Sequence, residues 1–358
     1  MRQNAKHTLL GIGLMIALPV AICAQGPPGG PPGGPPGGPP SATVQVDCTD
    51  LDPANHDSIS AALNNPAKEL TIEISGICEE EVQVRRNNVT LRGTNPLVDG
   101  IRPALDEPLD QALNLFGVHL ILIENLKLTG GRIGLSVNNS FSVDVVNCRV
   151  EDNEIIGVIF GSASGSNDLI DSVVTGNGGI GIWVTNGSSL RCTRCTVENH
   201  GHGIQLTQGS EFTLRDSTVE GFRAIDASGG SRVLGFGPNT INGLPWALRA
   251  TGTVSVELSG TSVDGRLDLR QGSVVKLFGV AHTNIGGPSQ ILSGSTLVMD
   301  GATTMEGDLT LTELSEAVFP AGASIAGSLF CSLGADAFCD DPIASVGGIS
   351  DCGRCTKP

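Results

Sequence analysis

From His119 to Phe330, apolar positions recur every 20 to 24 residues. Leu128, Val150, Val174, Val197, Val219, Ile241, Val263, Ile285, Met305 and Ile325 mark the repeat, usually followed by a Gly- or Asn-containing turn such as Asp152-Asn153 or Asp264-Gly265. Seven and five positions before a marker lie pairs such as Ile121/Ile123, Val143/Val145, Phe212/Leu214, Leu234/Phe236 and Phe278/Val280. Alternation with period two puts both members of a pair on one face of a strand. Two positions before the marker runs a column of mainly small residues, including Cys148, Ser172, Thr261, Thr283 and Ala323, which suits a tight corner. A second alternating strand follows the turn, as in Gly181-Ile182-Trp183-Val184. Units this short bury their apolar face only against neighbours, so they must stack. The pattern predicts a single coil of about 11 rungs, like upon like at ~4.8 Å.

The ends read differently. Asp57 to Leu63 predicts a short helix, an N-terminal helical cap over the strands Leu70 to Ile74 and Val89 to Leu91. Cys48 and Cys78 bracket it, placed for a disulfide that pins the cap to the first rung. Cys331, Cys339, Cys352 and Cys355 lie in a Gly- and Asp-rich tail and predict a disulfide-closed C-terminal cap. Cys148, Cys192 and Cys195 read as buried thiols within the stack. At the other end, Arg2 and Lys6 precede an apolar run from Leu9 to Ile22 and a small Ala24, the pattern of an export signal. The run falls short of the ~20 residues of a membrane span. Lipid attachment at Cys23 is the alternative. The Pro-Pro-Gly-Gly repeat that follows has period four, which excludes a collagen triple helix and leaves a spacer. The expected organisation is a signal at 1–24, a linker at 25–41, the coil at 42–330 and the cap at 331–358. The expected destination is the periplasm, the cell surface or the medium, with no transmembrane span in the mature chain.

Charge narrows the partners. The net charge of −16 becomes −18 (−16 − 2) once Arg2 and Lys6 leave with the signal. Such a chain repels nucleic acid. Acidic polysaccharides are poorly matched unless a local basic patch or a bridging cation intervenes. No ligand set for a metal and no cofactor motif stands out in the sequence.

The ladder of markers, pairs and small corners resembles the right-handed parallel β-helix of the pectin-lyase-like superfamily, from about Thr43 to Phe330. The resemblance implies an all-β, single-stranded solenoid. It implies no one activity, since that superfamily spans lyases, hydrolases, epimerases and non-catalytic adhesins. It also implies a working face on the strand after the marker turn. Its outward positions here are Ser136, Ile159, Trp183, Gln205, Asp226, Arg249, Asp268, Gln290 and Thr310, flanked by His202, Arg223, Trp246, Arg266 and Arg270. An aromatic plate beside polar forks is what a sugar-binding surface needs. The preferred ligand-binding patch is Trp183, Gln205, Arg223, Asp226, Trp246 and Arg249.

Catalytic candidates on the same face are Asp226, Arg249 and Asp268, with His202 nearby. Carboxylates two rungs apart sit ~10 Å from each other, near the upper end of the ~6.5–9.5 Å of inverting glycosidases. The competing explanation is a charge ladder in which Arg249 separates two aspartates. His200-Gly201-His202-Gly203 is similar to the Gly-His-Gly of polygalacturonases. The carboxylates which that family pairs with it are missing, with Asp152-Asn153-Glu154 and Thr175-Gly176-Asn177 at the corresponding rungs. The activity is therefore not carried over. The expectation is a protein that binds carbohydrate or a cell-surface partner along one sheet. A polysaccharide lyase or glycoside hydrolase and a purely structural surface rod are the alternatives.

Overall fold

A computed structural model describes residues 40–50, 57–104, 111–283, 288–332, 334–339, 345–347 and 352, all within the unit Gly38–Pro358. The segment expected to be an export signal, almost all of the Pro/Gly linker, Ile285 and Cys355 lie outside the described residues.

Alternation makes strands, regular spacing stacks them, and the product is an all-β right-handed parallel solenoid of about 12 turns. A typical rung has three strands, for example His119–Glu124, Lys127–Thr129 and Ile133–Asn138. Each pairs in parallel with its counterpart one rung on, giving sheets we term 1, 2 and 3 in that order. The markers fall in sheet 2 and point inward: Leu128, Val150, Val174, Val197, Val219, Ile241 and Val263 are all fully buried. Their stack, with the inward residues of the other two sheets, forms one continuous aliphatic core. From Val219 onward the corner between sheets 2 and 3 straightens, and the two strands merge into Thr218–Ser228, Thr240–Thr251 and Ser262–Arg270.

Three expectations change. The front carries no substantial helix: only Ile59–Ala62 is helical, a single turn. A seven-residue segment is too short to nucleate more. The turn is held by Glu80, whose carboxylate accepts from Ile59 N at 2.6 Å and Ser60 N at 3.1 Å. The first layer is instead the strand Ser41–Cys48, paired with Glu69–Gly76. Cys48 is bonded to Cys78. Secondly, Leu234/Phe236 is not an inward pair, because Val233 and Gly235 face the core. The turn between Gly235 and Asn239 holds one residue more than that between Leu214 and Ser217, and a one-residue slip reverses every side chain. Thirdly, the marker stack passes from Val263 to His282 to Met305, so Ile285 is not its member there. Val275 and Leu277 take the inward places assigned to Phe278 and Val280, and Val280 occupies the corner assigned to Thr283.

At the far end the ladder runs on past Phe330 through Asp336–Cys339 and Ser345–Val346. Cys331 is bonded to Cys352, and Cys339 is also in a disulfide. Cys148, Cys192 and Cys195 are free and buried, and burial pushes the Cys148 thiol up to about 12. Such thiols are poor nucleophiles. Among the described residues no helix is long and apolar enough to cross a membrane.

The corner between sheets 2 and 3 carries an internal ladder. Gly131 N donates to Asn153 Oδ1 at 3.1 Å, and Asn153 N and Nδ2 donate to Asn177 Oδ1 at 3.0 and 2.8 Å. Asn177 Nδ2 in turn donates to the marker carbonyl Val150 O at 3.1 Å. His200 ends the series, with its ring nitrogens each 3.0 Å from a carbonyl, Asn177 O and Val174 O. Room for these side chains comes from Gly157 and Gly181, where an added Cβ would lie 2.6 Å from Asn177 Nδ2 and 2.5 Å from the His200 ring.

Candidate functional site

The parallel register strings one outward column along sheet 3, from Gln83 and Asn114 through Ser136, Ile159, Trp183, Gln205, Asp226, Arg249, Asp268, Gln290 and Thr310 to Phe330. A flanking column runs Ile180, His202, Arg223, Trp246 and Arg266. The residues singled out from the sequence therefore share one face, but they form two groups.

The first group is Trp183 with Ile159 and Gln205 as its neighbours. Its indole Nε1 donates to Thr207 Oγ1 at 3.3 Å, Thr207 Oγ1 donates to Thr185 Oγ1 at 2.7 Å, and Thr185 Oγ1 donates to Gln208 Oε1 at 3.2 Å. Tying the polar edge of the indole to a hydroxyl chain fixes the plane of the ring.

The second group is electrostatic. Asp226 Oδ2 accepts from Arg223 Nη1 at 3.0 Å and lies 3.9 Å from Arg249 Nη1. Asp268, 3 % exposed, accepts from Arg270 Nε at 2.7 Å and lies 3.7 Å from Arg249 Nε. Each carboxylate is thus divided between two guanidiniums, with Arg249 bridging the pair. His202 Nδ1 approaches Asp226 Oδ2 at 3.6 Å. Burial holds the His202 imidazole below its ordinary value, Arg223 and Arg249 add to that, and Asp226 opposes it. A neutral His202 beside ionised neighbours follows. The Arg223 guanidinium lies 5.4 Å over the Trp246 ring, and Phe222 meets that ring edge-on at 5.5 Å. Trp246 is thereby partly covered, whereas the Trp183 indole is held only along its edge.

Phe222 and Leu244 were not anticipated from the sequence. They occupy the position three past the marker, where Asn153, Asn177 and His200 turn inward in earlier rungs. Once the corner straightens that position turns out: Phe222 is 53 % and Leu244 55 % exposed. With His200 and Glu220 they border an open recess of about 490 Å³. The next residue in the series is Arg266. The usable signal was the change of residue type at one fixed place in the repeat.

Sheet 1 carries a second polar feature. Asp144 and Asp168 are register partners, with Arg191 beyond, whose Nη2 donates to Asp168 Oδ2 at 2.5 Å. A recess of about 330 Å³ lies over Asp168, Ser189 and Arg191. Burial and the adjacent Asp168 raise Asp144 above the ordinary carboxylate range, and Arg191 only partly offsets this. Between the unfolded and folded values the folded chain holds the extra proton, so stability falls as pH rises through that window. Asp144→Asn should therefore leave Tm unchanged near pH 3 and raise stability at pH 7 by about 0.5 kcal/mol, the scale of one like-charge cross-strand pair. Thermal melts at the two pH values check this. An equal shift at both would remove charge as the cause.

Among the described residues no group of three or more His, Cys, Asp or Glu side chains is placed to hold a metal ion. No curated protein matches the chain. A family model described as "Right handed beta helix region" matches residues 104–241. Two solved structures are similar at 13 % identity. One is the catalytic domain of a GH87 alpha-1,3-glucanase in complex with tetrasaccharides, with 87 % of this chain and 60 % of that chain covered and a TM-score of 0.35. The other is an Acinetobacter phage gp42 tailspike, with 80 % and 62 % covered and a TM-score of 0.40. The chain spans about three fifths of the length of each. What the chain is similar to is thus a right-handed β-helix.

Proposed function

We propose that this is an exported member of the pectin-lyase-like superfamily that holds a polysaccharide or cell-surface glycan along the outer face of sheet 3 without turning it over. The observation that carries the reading is the single straight column joining Trp183, its indole pinned by Thr207, to the Arg223–Asp226–Arg249 group two rungs on. An apolar plate and forked donors on one rigid surface serve ring faces and hydroxyls respectively. Rigid strands also lower the ordering cost of binding.

A catalytic reading meets two obstacles. Asp226 and Asp268 are both occupied by guanidiniums. Two rungs separate them by ~10 Å, beyond the ~5–5.5 Å of retaining glycosidases and at the upper end of the ~6.5–9.5 Å of inverting ones. One observation favours it: a neutral imidazole at His202, 3.6 Å from Asp226, is a form that accepts a proton. A polysaccharide lyase or glycoside hydrolase on this face is therefore the second reading.

Glycan-array binding and a turnover assay on the same protein test both. Trp183→Ala should weaken glycan binding about tenfold, near 1.4 kcal/mol, with no product formed by either protein. Turnover abolished by Asp226→Asn or His202→Gln would replace the first reading with the second. Absence of any glycan binding would leave a structural surface rod.

A further inference from the structure

We infer that two copies of this chain pair, antiparallel and face to face, through the outer surface of the C-terminal half of sheet 1. One outward column of that sheet runs through Asp144, Asp168, Arg191 and Thr213. It then changes character, continuing as Leu234, Glu257, Lys276, Val298 and Val318. The column beside it carries Phe236 and Phe278, on either side of Ser259. Leu234, Phe236 and Phe278 have the spacing of inward residues, and the shifted register sets them outside, where they are half-buried. Five rungs of ~4.8 Å and a strand length of about 17 Å outline a patch of about 400 Å². Exposed apolar patches of that size are often functional. Sheet 3, with the proposed glycan face, takes no part in it.

Charge identifies the occupant. Glu257 and Lys276 are register partners in the middle of the patch, and among the described residues neither has an ion-pair or hydrogen-bond partner. One unpaired acid and one unpaired base on adjacent rungs make a surface complementary to itself turned end for end. With a two-fold axis along the strand direction between those rungs, each Glu257 faces the partner's Lys276. The same operation sets Leu234 against the partner's Val298. Copies packed in the same direction would instead oppose Glu257 to Glu257 and Lys276 to Lys276, which is unfavourable. An acidic or a basic foreign partner would satisfy only one of the two charges. A contact of this symmetry closes at two copies. The apolar residues supply the attraction, and the charges choose its direction. A patch this small gives a weak pair, with a Kd on the order of 10–100 µM.

Sedimentation equilibrium of the mature chain from about 1 to 300 µM should show a monomer–dimer equilibrium with that Kd. Glu257→Lys and Lys276→Glu should each weaken it about tenfold or more, because every cross-pair becomes like-charged. An equimolar mixture of the two variants should regain a dimer as tight as the parent's, since each variant then meets the charge it lacks. The double reversal, Glu257→Lys with Lys276→Glu, should also pair as the parent does. Recovery in the mixture needs both variants folded, which separates lost pairing from misfolding. A parent chain that stays monomeric at the highest concentration overturns the inference. A dimer indifferent to both reversals, or a mixture no tighter than its components, overturns it equally. All three outcomes leave the glycan reading of sheet 3 as it stands.

Discussion

Asn177→Ala is expected to destabilise the protein by about 2 kcal/mol, although Asn177 lies outside the outward columns of the candidate face. Its Oδ1 accepts from Asn153 N and Asn153 Nδ2, and its Nδ2 donates to Val150 O. The site is sealed from water, with Asn153 and Asn177 1–2 % exposed. Removing the amide leaves the Asn153 N–H without a partner, at roughly 1–3 kcal/mol, and takes a second donor from Val150 O, which stays in the parallel ladder between Arg149–Glu151 and Val173–Thr175. Asn153 Nδ2 suffers less, because it keeps Leu128 O and Glu151 O. Asn177→Leu should be no better, since the orphaned groups are the same. His200→Asn is the informative control. It puts an amide where the ladder ends, with Nδ2 aimed at Val174 O and Oδ1 near Asn177 N, repeating the geometry one rung below. It should cost less than 1 kcal/mol. Urea midpoints of the three variants check the ordering, and Asn177→Ala within about 0.5 kcal/mol of the wild type would show that the ladder is not a stabilising element.

The same corner explains what could and could not be read from the sequence. The outward column from Ser136 to Thr310 was legible because strand alternation has period two and apolar pairs within the sheet 3 strands, such as Ile182/Val184 and Ile204/Leu206, bracket the outward residue whatever the length of the turn before them. Phase was lost where a single residue enters a turn, as at Gly237-Pro238, because counting from the marker cannot detect an insertion. It was lost again where His282 occupies the marker stack, since an apolar residue, Ile285, lay close by at the expected spacing. The front turn failed for another reason: seven residues carry too little periodicity to separate a helix from one capped turn. Asn153 and Asn177 were visible as turn residues, but a turn does not say where its side chains point. Only the rung stacking shows that they bond inward while Phe222 and Leu244, at the same place in the repeat, bond nothing and face out. The pairing of charges on the face was similarly hidden. The sequence placed Arg249 between two aspartates, but not Arg223 on Asp226, nor Arg270 on Asp268, nor Arg266 left over.

Removing the Cys48–Cys78 bond, by Cys48→Ser with Cys78→Ser, should loosen the front of the solenoid and little else. The bond closes a loop with a sequence separation of 30, for which chain entropy alone assigns about 3.5 kcal/mol. In a compact globule that loss would spread over the whole molecule. A solenoid is a row of nearest-neighbour contacts, so the loss stays where the bond was. Among the described residues Ser41–Cys48 pairs with one strand, Glu69–Gly76, and its buried Val46 lies in the core cluster with Ile59 of the front turn. Hydrogen exchange should therefore rise about 100-fold in the amides of Ser41–Cys48, the equivalent of about 3 kcal/mol at 1.4 kcal/mol per decade. The amides of Phe141–Val146 and Ile180–Val184 should exchange as before, and glycan affinity at Trp183 should hold. Faster exchange along the entire chain would mean that the rungs fold as one cooperative block. The first strand would then be a support on which the distant binding face depends, rather than a lid over the first layer of the coil.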